Sequence, residues 1–479
     1  MQKRFIIILA AALSCFATLQ AKVQLPHLIA DNMVVQQQTD VRLWGWGEKG
    51  RIVKVSVSWS KQKSQCTVDD KGRWMVTVHT PKASYEPLSI TFDDGDKVTV
   101  NNVLSGEVWV CAGQSNMEMP VKGFGNCPVE GYNDVVVDAR QRHGVHYCKI
   151  PSEMSMTPQE DAKCEWKQIN METVSDASAT GYFFGRMLNQ ALDIPIGLIE
   201  ANKGGTRVES WLTEDNLKQY TSEPLDSNEI VKKYSWDYHR PLLWGNATFN
   251  PILKYTVKGI IFYQGCSNVG DPGNQYSDRL ALLVKQWREQ FGLGEIPFYF
   301  VQIAPYYYDD DVNKTSGAFL REQQLRAASI IPNSDIICTN DLVYPYETQQ
   351  IHPCQKQQVG ERLAMVALNK NHGKSRLMCE SPRFKELTVS NDTCYVQLQD
   401  DYGAISRYED IQGFEVAGND RVFHKANAYY YWTKGIIITC PEVKEPVAVR
   451  YCFRNFQLGN VKNAALLPLF PFRTDNWDN

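Results

Sequence analysis

Between residues 106 and 375 the hydrophobic period alternates, and this narrows the possible folds more than any other feature of the chain. Gly259-Ile260-Ile261-Phe262-Tyr263 is a continuous apolar run, the pattern of a strand buried on both faces. Leu280, Leu283, Val284, Trp287 and Phe291 then recur at helical spacing, with Ser277 or Asp278 suited to start that helix and Gly292 to end it. Residues 297–301 read as the next strand, 319–328 as helix, 336–339 as strand and 355–369 as helix. Upstream, 179–191 read as helix and 194–200 as strand. Strands and helices in strict turn imply a parallel sheet covered by helices, with ligands beyond the carboxyl ends of the strands.

The flanks have a different period. Residues 41–46, 52–59, 74–79 and 88–92 are short alternating runs, separated by turn sequences such as Asp69-Asp70-Lys71-Gly72 and Asp93-Asp94-Gly95. The expectation for 22–105 is an N-terminal β-sandwich or jelly roll. Alternating runs return at 386–389, 394–398, 435–440 and 447–453, so 376–479 is expected to be a C-terminal β region packed on the core. The α/β domain lies between them, at 106–375.

Residues 1–21 read as an address. Lys3 and Arg4 precede an apolar run from Phe5 to Leu13, too short to span a bilayer, and Ala21 suits cleavage. A secreted or periplasmic protein is expected, with no stable membrane span. Cys15 could be an acylation site, but Ala12 stands where such sites prefer leucine. The cysteines show no zinc-type spacing, and their pairing stays open. The net charge of −4 offers no basic excess to neutralise phosphates, which argues against a nucleic-acid binder. Sequons occur at Asn246, Asn313 and Asn391. A glycan on Asn246 would obstruct a candidate site, which favours a bacterial, non-glycosylated chain.

Four strings at predicted strand ends carry chemistry. Gly113-Gln114-Ser115-Asn116-Met117 follows an apolar strand, and a serine in such a turn can present both its hydroxyl and its own N–H to a carbonyl. Asn202-Lys203-Gly204-Gly205-Thr206-Arg207 pairs glycines where backbone N–H groups can approach a ligand. Tyr263-Gln264-Gly265-Cys266-Ser267-Asn268 offers the Gln264 amide as a donor. Gln349-Gln350-Ile351-His352-Pro353 offers an imidazole that titrates near neutrality. Taken alone, each string reads first as an ordinary turn, a cap or a structural residue.

In this order the four strings resemble the sialate O-acetylesterases, a carbohydrate-esterase branch of the SGNH hydrolases. Glu209 and Trp211 extend the second block, and Asn246 to Pro251 resembles a further Asn-containing stretch. Lys356 and Val359 to Ala364 extend the histidine block. Gly413 to Ala417, Pro446 to Tyr451 and Phe470 to Asp475 complete the likeness at the carboxyl end. The resemblance implies an SGNH-type parallel-sheet core. It implies a carbohydrate O-acetylesterase acting on acetylated sialic acid or another acetylated glycan, with no metal and no organic cofactor. Ser115 would be the nucleophile and His352 the base. Ser115 N–H, Gly205 N–H and the Gln264 amide would form the oxyanion hole, and Asn116, Arg207 and Asn246 would contact substrate.

Two positions depart from the family pattern. An acidic residue usually precedes the histidine, where Gln349 and Gln350 stand here, so Gln349, Gln350, Glu347 or Asp341 would have to orient the imidazole. Cys266 replaces a usual glutamate and reads as a space-filling residue. Three readings therefore stay open: an active esterase, a weakened or inactive glycan-binding relative, and an acetylesterase of plant polysaccharide.

Overall fold

The computed structural model describes residues 23–270, 275–402, 405 and 410–477. The expected signal segment and Cys15 lie outside the described residues. The chain folds as a mixed α/β protein.

One strand, Lys97–Gly113, organises the molecule. Its seventeen residues alternate in burial at the start and are wholly buried from Val103 onward. Its first half pairs antiparallel with Ser84–Asp93, and residues 104–106 pair in parallel with Val34–Gln36. Its second half enters a parallel sheet between Ile196–Asn202 and Gly259–Tyr263. Phe298–Val301 and Ser334–Ile337 extend this sheet on one side. Val145–Lys149 extends it on the other, with Trp166–Gln168 as an antiparallel edge. The boundary expected after residue 105 thus falls inside a strand shared by both regions.

The chain first builds the side of the sheet that holds Ile196–Asn202, then crosses to the side that holds Gly259–Tyr263. The central strand therefore lies where the strand order reverses, and such a reversal opens a crevice at the carboxyl ends. The register is tight there: Gly113 stands opposite both Asn202 and Tyr263. The first three motif strings leave the sheet at one level.

Helices form where the apolar stripe predicted them: Ala179–Leu192, Tyr276–Phe291, Ser316–Ile330 and Lys356–Asn371. Ser178 caps the first by accepting from Gly181 N–H. Gly292 closes the second in the left-handed conformation, as its position implied. The expected start of that helix needs correction. Gln275 is its N-cap, and Ser277 is buried and donates to Gln323 instead.

The amino-terminal strands divide between two sheets, with Asp40–Trp46 pairing Arg73–His79 in one and Ile52–Val57 pairing Lys63–Thr67 and Ser84–Asp93 in the other. Their apolar faces join one continuous core with the α/β layer. The carboxyl-terminal part holds two four-stranded sheets around a core of its own. It is fastened to the helix Ser316–Ile330 by buried polar groups. Arg321 donates to the carbonyls of Cys452, Arg454 and Asn455, and Gly317 N–H donates to Asn455 Oδ1. Among the described residues, no helix is long and apolar enough to cross a membrane.

Candidate active site

The first string turns out of the central strand at Gly113, whose φ is +135°. A side chain there would meet the Tyr263 carbonyl oxygen at 2.3 Å, so both the conformation and the close approach require glycine. Gln114 N–H donates to that carbonyl, and Gln114 Oε1 accepts from Gly265 N–H at 2.7 Å. The first and third strings are thereby locked together. Ser115 opens a four-residue helix, Ser115–Glu118, and remains half-buried at its mouth.

His352 arrives on the loop before the helix Lys356–Asn371. Its Nε2 lies 2.7 Å from Ser115 Oγ, although 237 residues separate the two in sequence. Asn116 and Lys356 set this approach. Asn116 Nδ2 donates to the Ile351 carbonyl at 2.9 Å, while Lys356 Nζ donates to Asn116 Oδ1 at 2.8 Å and to the Pro353 carbonyl at 2.6 Å. Asn116, expected to touch substrate, instead has both ends of its amide occupied as a clamp on the histidine loop.

Among the described residues, no carboxylate contacts the His352 ring. Glu347 accepts from the backbone N–H groups of Tyr344 and Cys354, so it shapes the loop. Asp341 is held by Arg362 and Lys462. Gln349 is exposed. Gln350 Oε1 accepts from His352 N–H and from the Cys127 thiol, at 3.3 and 3.1 Å. Cys127 Sγ lies 3.6 Å from His352 Nδ1, where an orienting acid would stand, and Phe124 packs edge-on against the ring. To accept from Ser115 the neutral ring must carry its proton on Nδ1, which then faces sulfur, a weak acceptor. Burial and the Lys356 charge push the His352 pKa down to about 4. Burial also lowers Lys356 itself, to about 8.

The paired glycines lie against the serine. A side chain on Gly204 would stand 3.3 Å from Ser115 Cβ, and Gly204 N–H is already taken by Glu118 Oε2 at 2.6 Å. Gly205 has φ +78°, and among the described residues nothing accepts from its N–H. Nothing accepts from Ser115 N–H either. Among the described residues neither donor has an acceptor, and Gly205 directly follows the glycine that packs against Ser115.

The other expected site residues are committed elsewhere. Gln264 is buried, and its amide hydrogens go to the Thr206 carbonyl and Asn268 Oδ1 while its Oε1 accepts from Tyr276. It ties the second string to the third. Arg207 is buried against Glu223 and the His239 carbonyl, with its guanidinium over the Tyr234 ring. Asn246 is buried and donates to the Ser155 and Met156 carbonyls. Both pin chain segments, which corrects their expected role as substrate contacts. Burial raises the Cys266 thiol above its usual range, which suits a packing residue and not a nucleophile.

A hydroxyl donating to an unprotonated imidazole can pass its proton to the ring while attacking a carbonyl. Unpaired N–H groups close to such a hydroxyl can receive the negative charge that forms. A family model described as a carbohydrate esterase, sialic acid-specific acetylesterase, matches residues 105–369, more than half of the chain. The chain belongs to this family. The sialate O-acetylesterase of Homo sapiens is 28% identical over 417 residues, covering 78% of this chain and 76% of its own length. The sialate O-acetylesterase of Mus musculus is 25% identical over 447 residues, covering 81% of each chain. A solved carbohydrate acetylesterase from Xanthomonas citri superposes with a TM-score of 0.84 at 29% identity, covering 95% of this chain and 100% of that one. The family match contains all four motif strings, and with them the Ser115–His352 contact.

Gln350 was among the residues expected to orient His352, whereas the roles of Lys356 and Cys127 escaped sequence reasoning for different reasons. Lys356 stands four residues after the histidine, and its burial depends on Asn116, far away in sequence. Cys127 lies in a loop with no periodicity, and nothing in its neighbours marks it.

Proposed function

We propose that this protein is a carbohydrate O-acetylesterase that hydrolyses acetyl esters on sialic acids, with Ser115 as nucleophile and His352 as general base. The contact between His352 Nε2 and Ser115 Oγ carries the reading. Membership of the family, and the names of its human and mouse relatives, support the substrate. The parallel sheet with its serine at the end of the central strand is consistent with an SGNH-type core.

In this mechanism Ser115 Oγ attacks the acetyl carbonyl as His352 Nε2 takes its proton. The tetrahedral oxyanion is received by the N–H groups of Ser115 and Gly205. Gln264, whose amide hydrogens are engaged, supports the two loops instead. His352 then protonates the departing sugar oxygen, leaving an acetyl ester on Ser115. Water attacks the acyl carbonyl as His352 removes its proton, and collapse of the second intermediate breaks the bond to Ser115 Oγ, which takes that proton back from His352 as acetic acid is released and ionises to acetate. The imidazolium forms opposite a thiol and near the Lys356 cation, so it lacks the charge stabilisation that a carboxylate supplies. A modest kcat follows. Export belongs to the same reading, supported by the basic and apolar segment at residues 3–13.

The test is acetate release by the purified protein from O-acetylated sialic acid and from acetylated xylan. Release chiefly from the sialic acid is expected. Release from xylan alone would move the substrate to plant polysaccharide, and release from neither would leave a glycan-binding relative.

The depressed imidazole predicts the pH profile. A base works unprotonated, so kcat/KM should stay level on the acid side and fall only near pH 4, not near 6.5. Removing the cation in Lys356→Met should raise the imidazole pKa and move that limb to higher pH. An acid limb at the same pH in both proteins would show that Lys356 does not act on the base.

A further inference from the structure

Next to the glycine that offers the free N–H, the chain carries an aromatic surface that the mechanism does not use. Trp236 is 63% exposed, in a segment just after the short helix Ser227–Lys233. Its ring stacks on Tyr238, with centroids 5.8 Å apart and planes 16° from parallel. Tyr238 lies against Gly205: a side chain on that glycine would meet the tyrosine ring at 2.4 Å. The surface therefore runs from the wall of the Ser115 site outward to solvent.

This surface is held rigidly. Three successive carbonyls accept hydrogen bonds from buried side chains. Asp237 O accepts from Trp244 Nε1 at 3.2 Å and Tyr238 O from Ser210 Oγ at 3.3 Å. His239 O accepts from Arg207 Nε and Nη2 at 3.1 and 3.0 Å. The His239 ring packs edge-on against Tyr238. Arg207, expected at the substrate, thus acts at one remove by fixing the segment that bears the rings. Water gains nothing from a flat indole presented to it, and apart from the stacked Tyr238 ring this one faces solvent among the described residues. A flat apolar face prepared at the edge of a glycan-ester site suits the C–H face of a pyranose ring, the one broad apolar surface a sugar offers.

We propose that Trp236 and Tyr238 form a stacking subsite for the sugar next to the acetylated residue, so that the preferred substrate is an acetylated oligosaccharide rather than a free acetylated monosaccharide. This inference rests on the reading of Ser115 as the nucleophile of a glycan esterase. A prepared surface lowers the ordering cost of binding, and the neighbouring ring then helps hold the ester at Ser115.

The experiment compares kcat/KM for an acetylated monosaccharide with that for the same residue inside an oligosaccharide. Acetylated sialic acid is compared with acetylated sialyllactose, or acetylated xylose with acetylated xylotetraose, whichever pair releases acetate. The native protein should favour the oligosaccharide. Trp236→Ala should lower the oligosaccharide-to-monosaccharide ratio by about 10-fold, as expected for loss of one stacked ring, and Trp236→Phe should restore part of it. An unchanged ratio would overturn the subsite. Should neither pair release acetate, the esterase reading fails, and calorimetric titration with sialyllactose and xylotetraose decides the subsite alone. Binding by the native protein that Trp236→Ala weakens would support it. No binding, or equal binding by both proteins, would overturn it.

Discussion

Ser115→Ala is expected to lower kcat for acetate release by about 10³- to 10⁵-fold, with the protein still folded. Ser115 is half-buried at the end of the central strand, and its Oγ hydrogen-bonds His352 Nε2. Losing that oxygen removes the attacking atom and leaves the clamp of Asn116 and Lys356 intact. His352→Ala should cost a similar factor, because Ser115 would then have no base. The double variant should be little slower than either single one, since the two side chains act as a unit. Single-turnover acetate release by the three proteins, with Tm beside it, checks this. Additive losses would mean that serine and histidine act independently. Full activity in Ser115→Ala would remove the proposed nucleophile.

Gly205→Ala is expected to lower kcat by about 10²-fold while changing KM little on an acetylated monosaccharide, which does not reach the Trp236–Tyr238 surface. A methyl group there would sit 2.4 Å from the Tyr238 ring, at a φ of +78° that alanine adopts only with strain. The loop or the ring must move, and the Gly205 N–H turns away from the oxyanion. One such donor is worth about 3 kcal/mol in the transition state, where the charge exists, and much less in the ground state. A change confined to KM would point to a binding role for this loop. An unchanged kcat would remove Gly205 from the oxyanion hole. Gly204→Ala is a useful contrast. Its N–H is already bound to Glu118, so any loss of kcat there reports displaced geometry rather than a lost donor.

Local order was legible wherever short-range physics sets it. The stripe at Leu280, Leu283, Val284, Trp287 and Phe291 forms a buried helix face, and Gly292 ends that helix. The alternating run at 74–79 lies in the half-buried strand Arg73–His79, and the apolar run at 259–263 forms a fully buried one. Strands that offer few apolar residues escaped, such as Lys63–Thr67, because pairing with Ile52–Val57 and not pattern holds them in place. The start of the helix at Tyr276 was misread because a serine that looks like a cap is buried against Gln323.

At the site, the chain's order of residues determined which strings leave the sheet and which residue types they carry: a serine after a glycine, paired glycines, and a histidine before a helix. Motif order and family likeness follow from those residues alone. Only the tertiary structure decided what each polar side chain faces. It brought His352 to Ser115 across 237 residues, turned Asn116, Gln264, Arg207 and Asn246 inward, and set Cys127 where an acid was expected. The reason is physical. A hydroxyl, an amide or a guanidinium can bond to substrate or to its own chain equally well, and a buried one must find a partner inside the fold. Which partner it finds depends on strand register and helix docking, and neither is written in the residues beside it.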